Sequence, residues 1–140
     1  MIYVDTSVIV ALLTVEPKTS DVLAWYTGLQ DVPTSSDWLL TEFSSATSIK
    51  LRTGQLSEAN AKRVHKEFDL LAAGGLRLAP VSRSAYSQAA KMIKLHQHGL
   101  RAGDALHLAV ALELGARQMA TLDGTLAKNA KRKGLVLISF

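Results

Sequence analysis

Four acidic residues lie where a carboxylate could take part in chemistry. Asp5 and Asp123 each directly follow a short apolar segment. Asp104 and Glu42 each lie near the start of a segment with helical periodicity. A single acid at such a position is most often a helix cap or a partner of the helix dipole. Four converging carboxylates would repel one another unless a cation lay between them, so as a group they indicate a metal site.

The available ligand types favour magnesium. The chain has no cysteine, which excludes thiolate zinc sites, disulfide bonds and a cysteine nucleophile. His96 and His98 are two positions apart and would not share a helix face, so they do not indicate a metal pair. Oxygen ligands alone suit Mg²⁺, with Mn²⁺ as a substitute. The sequence therefore predicts a Mg²⁺ site made by Asp5, Glu42, Asp104 and Asp123.

Hydroxyl groups beside two of the acids could support this site. Thr6 and Ser7 directly follow Asp5 and could hold its carboxylate or a metal-bound water. Thr121 precedes Asp123 by two positions, so both side chains would point to the same face of a strand. Each of these hydroxyls could equally bond to the backbone as a cap or turn residue.

Two further side chains lie close to Asp104. Arg101 precedes it by three residues and could contact a substrate phosphate or pair with one of the acids. His107 follows it by one helical turn, and we interpret it as a hydrogen-bonded histidine that packs between helices rather than as a ligand. The spacing does not choose between the two roles of Arg101.

The elements needed to bring the acids together are an alternating series of strands and helices. The predicted strands comprise residues 2–4, 32–35, 76–81, 117–122 and 135–138. The predicted helices comprise residues 8–13, 20–29, 37–53, 58–74, 82–98 (with Ser84 as an alternative start to Ser82), 104–114 and 125–133. This alternation predicts an α/β fold in which helices cover both faces of a mostly parallel central sheet. Open parallel sheets bind ligands beyond the carboxyl ends of their strands, where Asp5 and Asp123 would lie.

Size and charge limit the class of protein. The 140 residues, 48% of them hydrophobic, suit one domain over residues 1–140. No apolar run is long enough for a membrane helix and no charged leader is visible, so we expect a cytoplasmic protein without a membrane partner. The net charge of +4 is compatible with a polyanionic partner, although ordinary basic proteins carry as much.

Three short strings carry a resemblance to a known family. They are Tyr3-Val4-Asp5-Thr6-Ser7-Val8, Asp104-Ala105-Leu106-His107-Leu108-Ala109 and Thr121-Leu122-Asp123-Gly124-Thr125-Leu126. Together they resemble PIN-domain nucleases and, more narrowly, VapC-type toxins of type II toxin–antitoxin systems. Glu42 stands at the interval where that family carries its helical acid. Two departures are Gly103, where many relatives carry a side chain, and residues 56–75, which match no family motif.

The resemblance implies a fold, an activity and partners. The fold would be a PIN-like α/β/α sandwich, and the activity that of a Mg²⁺-dependent endoribonuclease toxin. The metal-binding and catalytic acids would be Asp5, Glu42, Asp104 and Asp123. The partners would be an RNA substrate, a cognate antitoxin protein and a second copy in a homodimer. Water would attack the phosphodiester, with Asp5 or Asp104 accepting a proton, and would leave a 5′-phosphate and a 3′-hydroxyl.

Three other protein classes could also carry acids at these positions. A non-catalytic PIN-like scaffold that binds RNA or protein would share the fold. A receiver-type signalling domain would want a second acid beside Asp5, where Thr6 stands. A haloacid-dehalogenase-like phosphatase would want an acid at the position of Ser7. The last two are therefore disfavoured.

Overall fold

One parallel sheet of five short strands forms the centre of the molecule. The computed structural model describes all residues 1–140. The strands are β1 (Ile2–Val4), β2 (Thr34–Ser36), β3 (Arg77–Ala79), β4 (Gln118–Ala120) and β5 (Val136–Leu137). Their order across the sheet is β3-β2-β1-β4-β5, and every pairing is parallel. The predicted α/β class and parallel sheet are confirmed. Each strand except the first is shorter than predicted.

The strand order also decides one of the alternatives. In receiver domains, which have the flavodoxin-like order 2-1-3-4-5, the first strand lies between the second and the third. Here β1 lies between β2 and β4. The topology therefore excludes the receiver-type interpretation.

Seven α-helices surround the sheet. They are α1 (Thr6–Leu13), α2 (Thr19–Thr27), α3 (Trp38–Arg52), α4 (Glu58–Leu70), α5 (Arg83–Lys94), α6 (Ala102–Glu113) and α7 (Gly124–Arg132). Ser57 and Ser82 cap α4 and α5 through their side chains, as expected of serine at these positions. No helix is long and apolar enough to cross a membrane.

The ends of α4 and α5 and the start of α6 are among the helix boundaries that differ from the predicted ones. After α4 the chain forms a π-helical turn, Leu71–Gly75, instead of continuing as a regular helix. After α5 a 3₁₀ turn, His96–His98, replaces the predicted last turn and ends at Gly99 with φ of 69°. Helix α6 begins at Ala102, two residues earlier than predicted, so Asp104 lies inside its first turn rather than at its start.

The core consists of two apolar clusters, one on each face of the sheet. Alternation along β1 sends Tyr3 into the cluster shared with α5, α6 and α7, and Val4 into the cluster shared with α1 to α4. Along β4, Met119 and Ala120 divide in the same way. Helices therefore cover both faces of the sheet, which is the predicted three-layer arrangement.

Strand β2 is an unusual central strand because it is polar. Thr34, Ser35 and Ser36 are all buried. Ser35 Oγ donates a hydrogen bond of 2.8 Å to the Val4 carbonyl, which compensates its removal from water. Hydrophobic periodicity gives such a segment a weak signal, which explains why its predicted range, 32–35, is displaced from the observed strand.

Candidate functional site

All four predicted acids line one pocket at the carboxyl edge of the sheet. The pocket has a volume of about 260 Å³, and its polar lining comprises Asp5, Thr6, Ser7, Glu42, Ser45, Asp104 and Asp123. Two of the acids follow strands β1 and β4, and the other two come from helices α3 and α6. The structure thus brings together residues that are up to 118 positions apart in the chain.

Asp5 is the buried acid of the pocket and its carboxylate is held on both sides. Oδ1 accepts hydrogen bonds from Ser7 Oγ at 2.7 Å and from the Val8 amide at 3.4 Å, so Asp5 also caps α1. Oδ2 accepts one from Thr121 Oγ1 at 2.8 Å. Burial raises the pKa of Asp5, while His107 and these donors lower it in part. The hydroxyls of Ser7 and Thr121 therefore orient this carboxylate.

The same two hydroxyls connect the loops after β1 and β4. Thr121 Oγ1 accepts the Asp123 amide at 3.0 Å, and Ser7 Oγ accepts the Leu122 amide at 2.9 Å. Asp123 Oδ1 in turn accepts the Leu126 amide at 2.7 Å and caps α7. Asp123 is thus both a structural cap and a lining residue of the pocket.

Glu42 is held by a buried hydrogen-bond network. Its Oε2 accepts a hydrogen bond from Thr6 Oγ1 and lies 2.6 Å from His107 Nε2, while His107 Nδ1 lies 2.9 Å from the Tyr3 hydroxyl. Burial raises the pKa of Glu42, but the hydrogen bonds and charge of His107 and the Thr6 hydroxyl outweigh burial and lower it overall. Thr6 therefore supports Glu42 rather than Asp5. The interpretation of His107 as a buried, hydrogen-bonded histidine is confirmed.

Helix α6 approaches the Glu42 side chain closely at Gly103. A Cβ atom added at Gly103 would lie 2.1 Å from Glu42 Oε1 and 3.0 Å from Trp38 Nε1. Any side chain at this position would displace the Glu42 carboxylate from where it lies. The glycine at position 103, where many PIN-domain nucleases carry a side chain, thus affects where the Glu42 carboxylate lies in the pocket.

Asp104 is the acid whose negative charge is least stabilised by the surrounding protein. It is partly buried, it forms no hydrogen bond with the protein, and it does not cap α6, whose N-cap residue is Arg101. Burial, together with the charges of Asp123, Asp5 and Glu42, raises the pKa of Asp104 to about 6. Its carboxylate is the one most in need of a neutralising cation.

The donor set of the pocket fits a hard divalent cation. Its donors are carboxylate and hydroxyl oxygens, the ligand types of Mg²⁺ and Mn²⁺. No three of the acids already lie in a metal-binding arrangement. The reason is visible in the hydrogen bonds, since Glu42 and Asp5 are directed towards protein donors. Asp104, by contrast, has both carboxylate oxygens unbonded.

Three further residues, Arg101, Ser45 and Tyr3, lie in or near the site. Arg101 is exposed and forms no ion pair, so pairing with an acid, one of its two predicted roles, is not observed. Sequence reasoning missed Ser45 and Tyr3. Ser45 follows Glu42 by three positions on α3, so helical spacing could have found it. Tyr3 and His107 are 104 positions apart, so no pattern within the sequence predicts their hydrogen bond.

Comparison with known proteins agrees with this architecture. The sequence model of the PIN domain family matches residues 2–132. No curated protein sequence matches the chain. Among solved structures, VapC20 of Mycobacterium tuberculosis, described as a toxin that cleaves the sarcin–ricin loop, is similar with a TM-score of 0.74 and 20% identity. The similarity covers 92% of this chain and 95% of that one.

Two further structures show the same fold. FitAcB of Neisseria gonorrhoeae has a TM-score of 0.74 and 21% identity over 99% of this chain and 97% of that one. VapBC2 of Rickettsia felis, solved with a DNA fragment from its promoter, has a TM-score of 0.66 and 19% identity. The shared region covers 99% of this chain and 98% of that one.

Proposed function

This chain is a member of the PIN domain family, and we propose that it is a Mg²⁺-dependent endoribonuclease that acts as the toxin of a toxin–antitoxin pair. The observation that supports this most is the convergence of four carboxylates at the carboxyl edge of the sheet. Among them Asp104 is left without a hydrogen bond and with a raised pKa. A structural role needs no such arrangement, whereas a metal-dependent nuclease does.

Asp5, Asp104, Asp123 and Glu42 are the residues that would hold the metal. When bound, Mg²⁺ supplies charge neutralisation at the phosphate and lowers the pKa of a coordinated water. Asp5 contributes a carboxylate fixed by Ser7 and Thr121. Glu42 contributes one whose position is set by Thr6 and His107.

Asp104 is the best placed of the acids to accept a proton. Both oxygens of Asp5 are already occupied by hydrogen bonds from protein donors, and Glu42 has a lowered pKa, so neither carboxylate is well placed to take a proton. The Asp104 carboxylate accepts no hydrogen bond, and its pKa is raised to about 6, within the range that suits a general base. In the proposed reaction the oxygen of water bonds to phosphorus as the bond to O3′ breaks. One proton of the attacking water passes to Asp104, and the leaving O3′ takes up a proton from solvent to become a hydroxyl.

The products test this mechanism. Hydrolysis by water leaves a 5′-phosphate, so the downstream fragments should ligate directly to adapters that require one. Cleavage should occur with Mg²⁺ or Mn²⁺ and stop in EDTA. A 2′,3′-cyclic phosphate on the upstream fragment would mean attack by the 2′-hydroxyl and would contradict the mechanism.

The partner we propose is an antitoxin that covers the pocket and an adjoining cavity. This cavity, of about 450 Å³, shares Thr6 and Ser7 with the acidic pocket. Its apolar lining comes from α1, α3 and the loops after α1 and β4, and its rim carries Glu16 and Lys18. Val15 beside it is 95% exposed. An apolar or basic antitoxin segment lying here would bury that surface and block access to the acids. A homodimer and a cytoplasmic location belong to the same proposal.

A PIN-like scaffold that binds RNA or protein without cutting is the second candidate. The hydrogen bonds that occupy Glu42 and Asp5 favour it, since they keep three acids from a ready metal-binding arrangement. The nuclease assay separates the two. RNA binding without cleavage in either Mg²⁺ or Mn²⁺ would identify the scaffold.

A further inference from the structure

The net positive charge of the molecule comes from its C-terminal part. Of the 16 lysine and arginine residues, nine lie between Arg83 and Lys133, a stretch that contains only three acids. Two of those three, Asp104 and Asp123, line the acidic pocket. The first 82 residues hold nine acids and seven bases. The excess of positive charge therefore belongs to the part of the chain that forms α5, α6 and α7.

These nine cations are not neutralised within the protein. The ion pairs made by lysine and arginine all lie earlier in the chain, and they are Lys18–Asp21, Lys50–Glu16 and Arg63–Glu67. None of the cations from Arg83 onwards forms one. Their charge is thus available to an external anion.

Part of this charge lines a defined cleft. The cleft has a volume of about 180 Å³ and lies between the His96–His98 turn and the C-terminal half of α7. Its polar lining consists of His98, Asn129, Arg132 and Lys133. Its floor is apolar and comes from the end of α5 and from Leu100. A cleft with two cationic side chains in one wall and no acid suits a single anionic group such as a phosphate.

Asn129 gives the cleft a fixed shape. It is buried, and its Nδ2 donates to the carbonyls of His98 and Thr125, each at 2.9 Å. These bonds join the turn to the helix. Its Oδ1 accepts a hydrogen bond of 3.4 Å from Arg132 and so helps to orient that guanidinium. The two walls are therefore held together by a buried side chain rather than by chance contact.

Helix α7 connects the cleft with the acidic pocket. The helix begins after its cap Asp123, in the pocket, and ends at Arg132, in the cleft. Nine residues at about 1.5 Å each give a length of about 13 Å, a distance that a single RNA strand covers in a few nucleotides. Exposed Lys128 lies one turn before Arg132 on the same helix face and fills the interval.

Basic residues at the end of a helix also interact favourably with its dipole. That effect accounts for Lys131, Arg132 and Lys133 as helix-stabilising charges, but it does not require a cleft or the opposite wall to which His98 belongs. We propose that this cleft binds a backbone phosphate of the RNA strand, a few nucleotides from the phosphodiester in the acidic pocket. This inference rests on the proposed function.

Two charge-matched double variants test the proposal. Arg132→Gln with Lys133→Gln removes two cations from the cleft, and Lys62→Gln with Lys66→Gln removes two exposed cations from α4 as the control. Binding of a fluorescein-labelled single-stranded RNA is measured across a salt series in the Asp104→Asn background, which prevents cleavage. Each lost phosphate contact should reduce the slope of log K against log salt by about 0.7. The cleft variant should lose at least one contact and bind about tenfold more weakly at low salt, whereas the control should change less than twofold.

A second measurement uses the cleaving protein and RNAs of increasing length. For the parent, KM should fall once the strand is long enough to reach the cleft, and for the cleft variant this length dependence should disappear. A cleft variant that keeps the parent's salt slope and length dependence would overturn the inference and leave the nuclease proposal intact. Equal losses in the cleft and control variants would also overturn it. A parent that neither binds nor cleaves RNA would overturn both.

Discussion

At Asp104 the acidic pocket carries a negative charge that the protein itself does not neutralise. The other three acids each accept at least one hydrogen bond, whereas Asp104 accepts none and faces all three. Since it does not cap α6, replacing it removes repulsion without removing a structural contact. Substitution of Asp104 therefore tests metal binding without removing a helix cap, whereas Asp5 and Asp123 each cap a helix.

We therefore predict that Asp104→Asn and Asp104→Ala are at least as stable as the parent in EDTA. Added Mg²⁺ should raise the melting temperature of the parent, because a ligand that binds only the folded state stabilises it by about 2.7 kcal/mol at a hundred times its Kd. Both variants should gain much less and should lose nuclease activity. Thermal melts of the three proteins with EDTA and with Mg²⁺ check this. A parent indifferent to Mg²⁺, beside an alanine variant destabilised in both buffers, would contradict the metal site.

The raised pKa of Asp104 predicts how the metal-free protein responds to pH. With a pKa of about 6 in the folded state against 3.8 as its ordinary value, the folded protein binds more protons than the unfolded one between these two pH values. Its free energy of unfolding should therefore increase as the pH falls from about 6 to about 4. Two pKa units correspond to at most about 2.7 kcal/mol, and partial exposure reduces the expected change to about 1 kcal/mol.

Denaturant titrations in EDTA at several pH values measure this change. Asp104→Asn should have a flatter profile, because it lacks the titrating group. A parent and variant with identical profiles between pH 4 and 6 would show that Asp104 is not perturbed. Metal binding should weaken over the same range, since Mg²⁺ and the proton compete for one carboxylate.

The contact between Gly103 and Glu42 gives a prediction based on sterics. Gly103→Ala should push the Glu42 carboxylate away from His107 and Thr6, because the new Cβ would overlap Oε1. We expect nuclease activity to fall at least tenfold. The free energy of unfolding should fall by about 1 kcal/mol, the usual net value of such hydrogen bonds.

A double-mutant cycle isolates this contact. In a Glu42→Ala background Gly103→Ala should cost much less stability, because the overlapping Glu42 atoms are gone and only the 3.0 Å contact with Trp38 Nε1 remains. Gly74→Ala is a matched control, since no atom lies within 4 Å of a Cβ at that position. A Gly103→Ala variant with full activity would mean that the position of Glu42 is not important for the reaction.

At the scale of elements, the ends of β1 and β4 are joined to the starts of α1 and α7 by side chains of the site. Asp5 and Asp123 cap these two helices, and Ser7 and Thr121 link the two loops. The pocket is thus built from the same hydrogen bonds that begin the helices. Asp123 can therefore cap α7 and belong to the acidic pocket at the same time.

Replacement of Asp123 can separate its two roles. Serine caps helices well but is a poor metal ligand, so Asp123→Ser should keep the stability of the parent and lose most of its activity. Asp123→Ala should lose the same activity and also about 1 kcal/mol of stability, since alanine cannot accept the Leu126 amide. Equal stability of the two variants would show that the cap contributes little.

At the scale of the whole molecule, the acidic pocket lies between an apolar cavity near α1 and a basic region around α7. The two sides differ in what they can bind: the cavity suits an apolar protein segment, and the basic region suits RNA. In the proposed scheme the antitoxin would block the pocket from the first side, and the RNA would approach from the second.

We predict that expression of this chain alone halts cell growth and that co-expression of its cognate antitoxin restores it. Growth curves with induced parent and induced Asp104→Asn measure this, the variant being the control for the burden of expression. The variant should be harmless at equal soluble levels. Harmless strong expression of a soluble, metal-replete parent would contradict the toxin proposal.

Much of the molecule follows from short stretches of sequence. The α/β class, the caps Ser57 and Ser82, the helix ends near Gly54 and Gly115, and the acidic ligand chemistry all come from residue types within a few positions of one another. Such features depend on local backbone preferences and on hydrogen bonds between near neighbours. A linear pattern contains that information, so these predictions agree with the structure to within a few residues.

Only the tertiary structure decided how the acids differ. Glu42 contacts His107 across 65 positions and Thr6 across 36, and the pKa of Asp104 depends on three acids from other elements. The cleft beside Arg132 likewise needs a turn and a helix that lie 31 positions apart. These contacts follow from the order β3-β2-β1-β4-β5 and the close approach of α6 to α3, which no local periodicity specifies. Free energies that arise between distant residues are set by how the layers pack, and they cannot be assigned until the chain has folded.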